Sequence, residues 1–313
     1  SLDLKICFSL VYSIENIAGG TILKKIGRYY EISPKKNEII LILQNPRIGS
    51  YNLSCGPEGL FVIDSKEKKL ECVIHPLKFE KPIPLVQYTD DQEKILNPVI
   101  PIPFLSQLKN EFVNISNLEF KIKEEEKDFF KQIQNITETS NIIFNTTKGC
   151  EIIFLKKKLQ VDEYKIIIDK NSITINYSDY GGKLYSIITL VQLINFYKST
   201  LPLGLIEDKP SLTWRGMHLD CARQFYTIAE IKRLFDYMCF FKLNRFHWHL
   251  TDNEAWRVEL KCYPDLTAQG AYRGYNKKIP PFYGAGYDRS GGYYSRSEIK
   301  ELIEYAKQRN IEI

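Results

Sequence analysis

The chain has 313 residues, 44% hydrophobic and 26% charged, and its 43 basic and 38 acidic side chains leave a net charge of +5. This composition excludes a disordered or fibrous chain and leaves room for two or three domains. Charge is interspersed, with Lys156-Lys157-Lys158 balanced by Glu124-Glu125-Glu126, so there is no clustered basic face for nucleic acid and no apolar run long enough for a transmembrane helix.

Residues 1–96 alternate short β-type runs (6–12, 38–43, 59–63 and 69–74) with Gly, Pro and Asn punctuation, which predicts a β-sandwich. The run after Lys5 is short and contains Ser9 and Tyr12, so it reads as a strand rather than a leader. Prolines 98, 101 and 103 make residues 97–103 a stiff, extended connector. A charged helix is predicted over 124–136, and strands over 149–155, 164–169 and 172–177. The last two form a hairpin through Asp169-Lys170-Asn171. A helix begins at Gly182, with Leu184, Ile187, Ile188, Val191, Leu193 and Ile194 as an apolar stripe. A linker is predicted from Leu201-Pro202-Leu203-Gly204 to Asp208-Lys209-Pro210.

Beyond it the order becomes strand (216–219), helix (228–241), strand (245–250), loop, helix (297–309) and the opening of a strand at Ile311-Glu312-Ile313. Such alternation implies parallel β/α units. Thr227 and Glu230 form a capping box, Ile231, Leu234, Phe235 and Met238 the buried stripe, and Ser295 or Ser297 caps the next helix. An eight-unit barrel takes ~250 residues, so the barrel is incomplete in this chain. The predicted fold is an α/β and α+β multidomain arrangement: a β-sandwich (1–96), an α+β accessory domain (97–208) and the start of a (β/α)8 TIM barrel (209–313).

Seven cysteines (7, 55, 72, 150, 221, 239 and 262) are scattered, without a CxxC pair or zinc-knuckle spacing. Asn-x-Ser/Thr triplets at Asn52, Asn114, Asn135, Asn145 and Asn176 matter only in a eukaryotic secretory protein. Charged residues at strand exits are where barrel enzymes keep their chemistry. His247 and His249 share one face of their strand, with Phe246, Trp248 and Leu250 on the other. As a metal-binding pair they would make a metal-dependent barrel hydrolase, but no further His follows. Arg215 and Asp220 read as structural ion pairs, Trp214 and Trp256 as packing or sugar platforms, and residues 270–292, rich in Tyr and Gly, as a rim loop.

Trp214-Arg215-Gly216, Leu219-Asp220, Ala222-Arg223, Lys242-Leu243-Asn244, His247-Trp248-His249-Leu250-Thr251-Asp252 and Trp256-Arg257 together resemble the start of the catalytic barrel of β-N-acetylhexosaminidases, glycoside hydrolase family 20. The likeness extends upstream through Gly181-Gly182-Lys183-Leu184-Tyr185 and downstream through Tyr293-Tyr294-Ser295. It implies retaining, substrate-assisted removal of terminal β-linked N-acetylglucosamine or N-acetylgalactosamine from oligosaccharides or glycoconjugates, without metal or cofactor. Arg223 matches the arginine that grips two hydroxyls of the terminal sugar. Asp252 matches a carboxylate that supports the acid/base Glu through a later His. The Asp-Glu pair itself follows a His-x-Gly-Gly motif in the family, and none occurs here: Glu254, Glu259, Glu298 and Glu301 lack the Gly-Gly-Asp context, and Asp288 precedes Arg289. The pair is therefore expected beyond Ile313. A second class of function is an inactive fragment serving as a carbohydrate-binding or structural module. Family members are often periplasmic, secreted or lysosomal, and the residues do not select a compartment or an oligomeric state.

Overall fold

The computed structural model describes residues 4–10, 13–43, 58–71, 98–138, 141–283 and 285–313. Contacts among them define two compact units. The first holds the described residues of Ser1–Val86, Leu219–Tyr226 and Trp248–Ile299, and the second those of Gln87–His218, Thr227–His247 and Lys300–Ile313.

In the first unit the N-terminal strands are β1 (Lys5–Ser9), β2 (Ile14–Ala18), β3 (Gly20–Ile26), β4 (Tyr29–Pro34), β5 (Ile40–Leu43), β6 (Glu58–Ile63) and β7 (Lys69–Leu70). Five form an antiparallel sheet in the order β3-β4-β1-β6-β7, and β2 pairs with β5. Alternation along each strand divides the side chains between two faces. Phe8, Tyr30 and Ile32 pack with Ile14, Ile17, Leu41 and Leu43 of the β2–β5 pair. Cys7, Tyr29, Phe61 and Ile63 form a separate cluster with Tyr275. The sequence pattern located β1, β5 and β6 but not β2, β3 and β4. β2 and β3 are largely exposed, and β4 is buried on both faces, so none of the three shows clean alternation. The strand predicted over 69–74 begins as β7, and Tyr12, Asn52, Cys55 and residues 72–74 lie outside the described residues.

The second unit contains β8 (Leu105–Asn114), β9 (Glu119–Lys121), α1 (Lys127–Thr137), β10 (Ile143–Asn145), β11 (Cys150–Lys156), β12 (Tyr164–Ile168), β13 (Ser172–Tyr177), α2 (Tyr180–Tyr197) and β14 (Thr200–Asp208). The strands make a mixed sheet in the order β10-β9-β11-β13-β12-β14-β8. The β12–β13 hairpin closes with Asp169 N donating to Ser172 O at 3.0 Å, as its turn residues predict. Asp179 caps α2 by accepting from Gly182 N at 2.9 Å. A Cβ on Gly182 would lie 2.5 Å from Glu163 O, so only glycine lets the helix start so close to the sheet. The predicted stripe understates this helix, because every residue from Gly181 to Ile194 except Lys183 is buried.

The predicted linker at 201–210 is corrected by β14, which lies inside the sheet between β12 and β8. Its Pro and Gly do not break the strand because the register shifts between Pro202 and Gly204, a bulge that tolerates a missing N–H. Gly204 takes φ +141° there, and a Cβ would sit 2.2 Å from Gln107 O.

The remaining elements are β15 (Gly216–Asp220), α3 (Ile228–Phe240), β16 (Arg245–His249), β17 (Thr251–Asp252), β18 (Ala255–Trp256), α4 (Asp265–Ala268), β19 (Tyr272–Arg273), β20 (Ser290–Gly291) and α5 (Arg296–Lys307). β15 pairs with β16. Asn244 N donates to Arg215 O, and Cys221 N to His249 O, so the register rises in both strands and they run parallel. Glu312 forms a parallel bridge to Arg245, where a further strand was predicted to open. The Thr227–Glu230 capping box is present, and Ile231, Phe235 and Met238 are buried, with Leu234 only half-buried. Ser295 caps α5 by accepting from Glu298 N at 3.2 Å.

Candidate active site

The exit of β15 turns on Asp220, whose Oδ1 accepts from the backbone N–H groups of Ala222 and Arg223, each at 3.0 Å. This short-range acceptance fixes the turn and turns the Arg223 side chain back toward the same carboxylate. Arg223 Nη1 donates to Asp220 Oδ2 at 2.5 Å and Nη2 to Asp252 Oδ2 at 2.9 Å. Its Nε stands 3.8 Å from Glu254 Oε2. β17 and β18 form a minimal hairpin, pairing Asp252 with Ala255, which sets the Asp252 and Glu254 side chains close to the guanidinium. Hydrogen bonds to Asp220 and then Tyr283 hold Arg223 above its ordinary pKa. Burial works against ionisation of Asp220, but hydrogen bonds from the Arg223 backbone and side chain outweigh it and lower its pKa.

The Arg223 side chain is 39% exposed and Asp252 27%, so a ligand can reach the guanidinium. Its planar fork retains N–H groups beyond the two engaged by carboxylates, which suits it to a pair of neighbouring hydroxyls. Asp252 also accepts from Asn253 N at 2.7 Å, the bond of a turn residue, and its Oδ2 lies 3.4 Å from His249 Nε2.

Around this cluster lie groups that sequence reasoning did not single out as site residues. Arg273 is buried, donates from Nη2 to Arg223 O at 2.6 Å, and has no hydrogen-bond partner for Nε or Nη1 among the described residues. Burial lowers its pKa, opposed by Glu254. Glu254 accepts from the Tyr283 hydroxyl at 3.2 Å through Oε1, while Oε2 is buried without a hydrogen bond among the described residues. The Asp220-x-x-Arg223 spacing was a usable signal for one partner. Nothing in the local sequence links Tyr283 to a residue so far upstream, beyond its place in the predicted rim loop.

Arg257 is fully buried and donates to four backbone carbonyls, those of Cys221, Ala222, Ala271 and Gly292. Burial and then Arg273 push its pKa down to about 10, which still leaves it charged at neutral pH.

The other predicted residues take structural positions. Arg215 pairs with Asp162 at 2.8 Å, as its ion-pair reading expected. Trp214 is exposed, with Arg245 over its ring at 5.5 Å, and Trp256 Nε1 donates to Val258 O at 2.6 Å. His247 meets the His218 ring edge-on at 4.6 Å, and His249 Nε2 lies 2.9 Å from Thr251 O. Among the described residues no group of three or more His, Cys, Asp or Glu is placed to hold a metal ion, and no helix is long and apolar enough to cross a membrane.

The model of the glycosyl hydrolase family 20 catalytic domain matches residues 212–313, and that of domain 2 of the same family matches residues 98–209. A β-hexosaminidase of Vibrio furnissii is 38% identical over 169 residues, 53% of this chain and 28% of the relative. An N,N'-diacetylchitobiase of Vibrio harveyi is 35% identical over 158 residues, 48% of this chain and 18% of the relative. The crystal structure of a family 20 exo-β-N-acetylglucosaminidase from Vibrio harveyi, in complex with N-acetylglucosamine, superposes with a TM-score of 0.77 at 26% identity, covering 99% of this chain and 51% of that one. The chain therefore spans about half the length of that structure. With an α/β multidomain architecture and matches to both family models, the chain belongs to glycosyl hydrolase family 20.

Proposed function

We propose that these residues are part of an exo-acting β-N-acetylhexosaminidase that removes terminal β-linked N-acetylglucosamine or N-acetylgalactosamine from oligosaccharides or glycoconjugates with retention. The observation that carries this reading is Arg223, a partly exposed guanidinium at the exit of β15, aligned by Asp220 and Asp252. Its fork binds two hydroxyls of the terminal sugar. Asp252 is the supporting carboxylate for an acid/base Glu, acting through a His that is not among these residues. The names of the relatives, β-hexosaminidase and chitobiase, favour a chitin-type N-acetylglucosamine substrate.

In the substrate-assisted route the acetamido oxygen of the sugar attacks the anomeric carbon as the glycosidic oxygen leaves with a proton from the acid. Water then opens the resulting ring and restores the acetamido group, so configuration is retained. An Asp orients the acetamido group and the neighbouring Glu exchanges the proton, and no Asp-Glu pair in a His-x-Gly-Gly context occurs in this sequence. We assign the chain-order domains accordingly: a β-sandwich over 1–96, an accessory domain over 97–208 and the first part of a TIM barrel over 209–313. The two sheets that pack together in the first unit and the parallel β15–β16 pair support this division.

The test is a chain carrying these residues through a closed barrel, incubated with a chromogenic β-N-acetylglucosaminide while proton NMR follows the released sugar. The β-anomer should appear first. Absence of turnover, or initial release of the α-anomer, overturns the reading. The 313-residue chain alone should show no turnover, because it supplies neither acetamido orientation nor protonation of the leaving oxygen.

A further inference from the structure

We propose that Tyr283 is a positioning residue for Arg223, and that the N-terminal sheet acts on the sugar subsite by holding the segment that carries it. This rests on reading Arg223 as the sugar-binding fork. The sheet face made by Cys7, Tyr29, Phe61 and Ile63 packs against Tyr275, Phe282 and Tyr287. Phe61 meets Tyr275 and Tyr287 edge-on at 5.9 and 5.5 Å, and those two rings stack at 5.4 Å. Glu67 adds polar ties: its carboxylate accepts from Asn276 Nδ2 at 3.0 Å and its carbonyl from the Tyr287 hydroxyl at 3.1 Å. The chain on either side of Tyr283 is thus anchored on the N-terminal sheet.

Tyr283 itself has φ +49°, uncommon for a bulky residue, so its surroundings must hold it there. The Arg28 guanidinium lies 5.1 Å from its ring, and those of Arg223 and Arg273 lie 6.0 Å away. Its hydroxyl donates to Glu254 Oε1 at 3.2 Å. The other oxygen of Glu254 stays 3.8 Å from Arg223 Nε, beyond hydrogen-bond range. The physical consequence is a competition. While Tyr283 retains one Glu254 oxygen, the carboxylate does not close on Arg223 as a third clamp, and the guanidinium stays oriented for hydroxyl groups. Arg28 sets where that tyrosine ring stands, although it belongs to the turn between β3 and β4 rather than to a strand exit.

Two measurements separate this from a purely structural role. In the 313-residue chain, the Arg223 Nε–H resonance, assigned by its loss in Arg223→Lys, should shift in Tyr283→Phe and in Arg28→Gln and return toward its original position in Arg28→Lys. A resonance indifferent to both substitutions overturns the proposal. In the chain with a closed barrel, Tyr283→Phe and Arg28→Gln should each raise KM about 3–10-fold with kcat within about twofold, the signature of lost uniform binding. Arg28→Lys should recover most of the effect. Unchanged KM in both variants of an active enzyme likewise overturns it. A responsive resonance in a protein that hydrolyses no N-acetylhexosaminide removes the sugar-subsite reading and leaves only the Arg28–Tyr283–Arg223 coupling.

Discussion

Arg223 and Arg257 belong to the same compact unit and carry the same charge, yet their surroundings are opposite. Arg257 is sealed among four carbonyls that join the chain at Cys221-Ala222, Ala271 and Gly292. Arg223 faces three carboxylates, keeps over a third of its side chain exposed, and is surrounded by polar atoms without hydrogen-bond partners among the described residues. On the proposed reading, the difference separates a structural cation from a ligand-binding one. A structural one has its donors directed to fixed protein acceptors, whereas a ligand-binding one retains donors that a ligand can use.

The most severe way to break the comparison is Arg257→Met. It should leave four buried carbonyls without their donor and cost about 3–5 kcal/mol of stability, read by urea unfolding. A loss below about 1 kcal/mol would show that the carbonyls find other donors and that Arg257 is not the staple described. Arg223→Lys is the counterpart. In a chain with a closed barrel it should leave unfolding nearly unchanged but raise KM and lower kcat/KM by ~1–3 kcal/mol of transition-state binding. Unaltered kcat/KM would remove Arg223 from the sugar.

Asp252→Asn should reduce kcat by roughly tenfold, ~1.4 kcal/mol. Removing a negative charge lowers the pKa of an acid it acts on, so the limb of the pH–rate profile governed by the acid/base group should move to lower pH. A wild-type profile would make Asp252 only the turn residue that its bond to Asn253 N suggests. The smallest effect belongs to Asp220. Its pKa is lowered in the folded state, so its stabilisation is complete above the unfolded value of ~3.9 and is lost as pH falls through the folded value. Asp220→Asn should flatten this acid limb of the stability curve by less than about 1 kcal/mol, and an equally steep limb in the variant would assign it to other carboxylates.

What could be read from sequence was local and strongly patterned. The α3 capping box, the β12–β13 turn and the β/α alternation after Thr213 each depend on residues a few positions apart. Arg223 and Asp252 were found through motif resemblance, and the structure brings them together. β8, with its polar sequence Leu105-Ser106-Gln107-Leu108-Lys109-Asn110, escaped notice because it is an exposed strand whose only partner among the described residues is β14. β14 looked like a linker because the bulge that accepts its proline and glycine depends on Gln107, far upstream. Glu254, Arg273 and Tyr283 carried no local signal because their relation to Arg223 exists only once the hairpin, β19 and the rim loop are folded together.

The place of β14 between β12 and β8 also has a consequence for synthesis on the ribosome. β8 emerges early, but its partner follows roughly 90 residues later, an interval on the order of ten seconds at ordinary elongation rates. Even then α2, buried nearly along its whole length, waits for α3, where Gln192 Nε2 donates to Phe240 O at 3.1 Å. Among the described residues, β8 thus stays unpaired until β14 has appeared, and the α3-facing side of α2 stays uncovered until residues well past Asp208 have appeared. A ribosome pause before Phe240 would prolong that exposure and favour aggregation, whereas a pause after α3 would let the second unit complete this part of its core before elongation resumes.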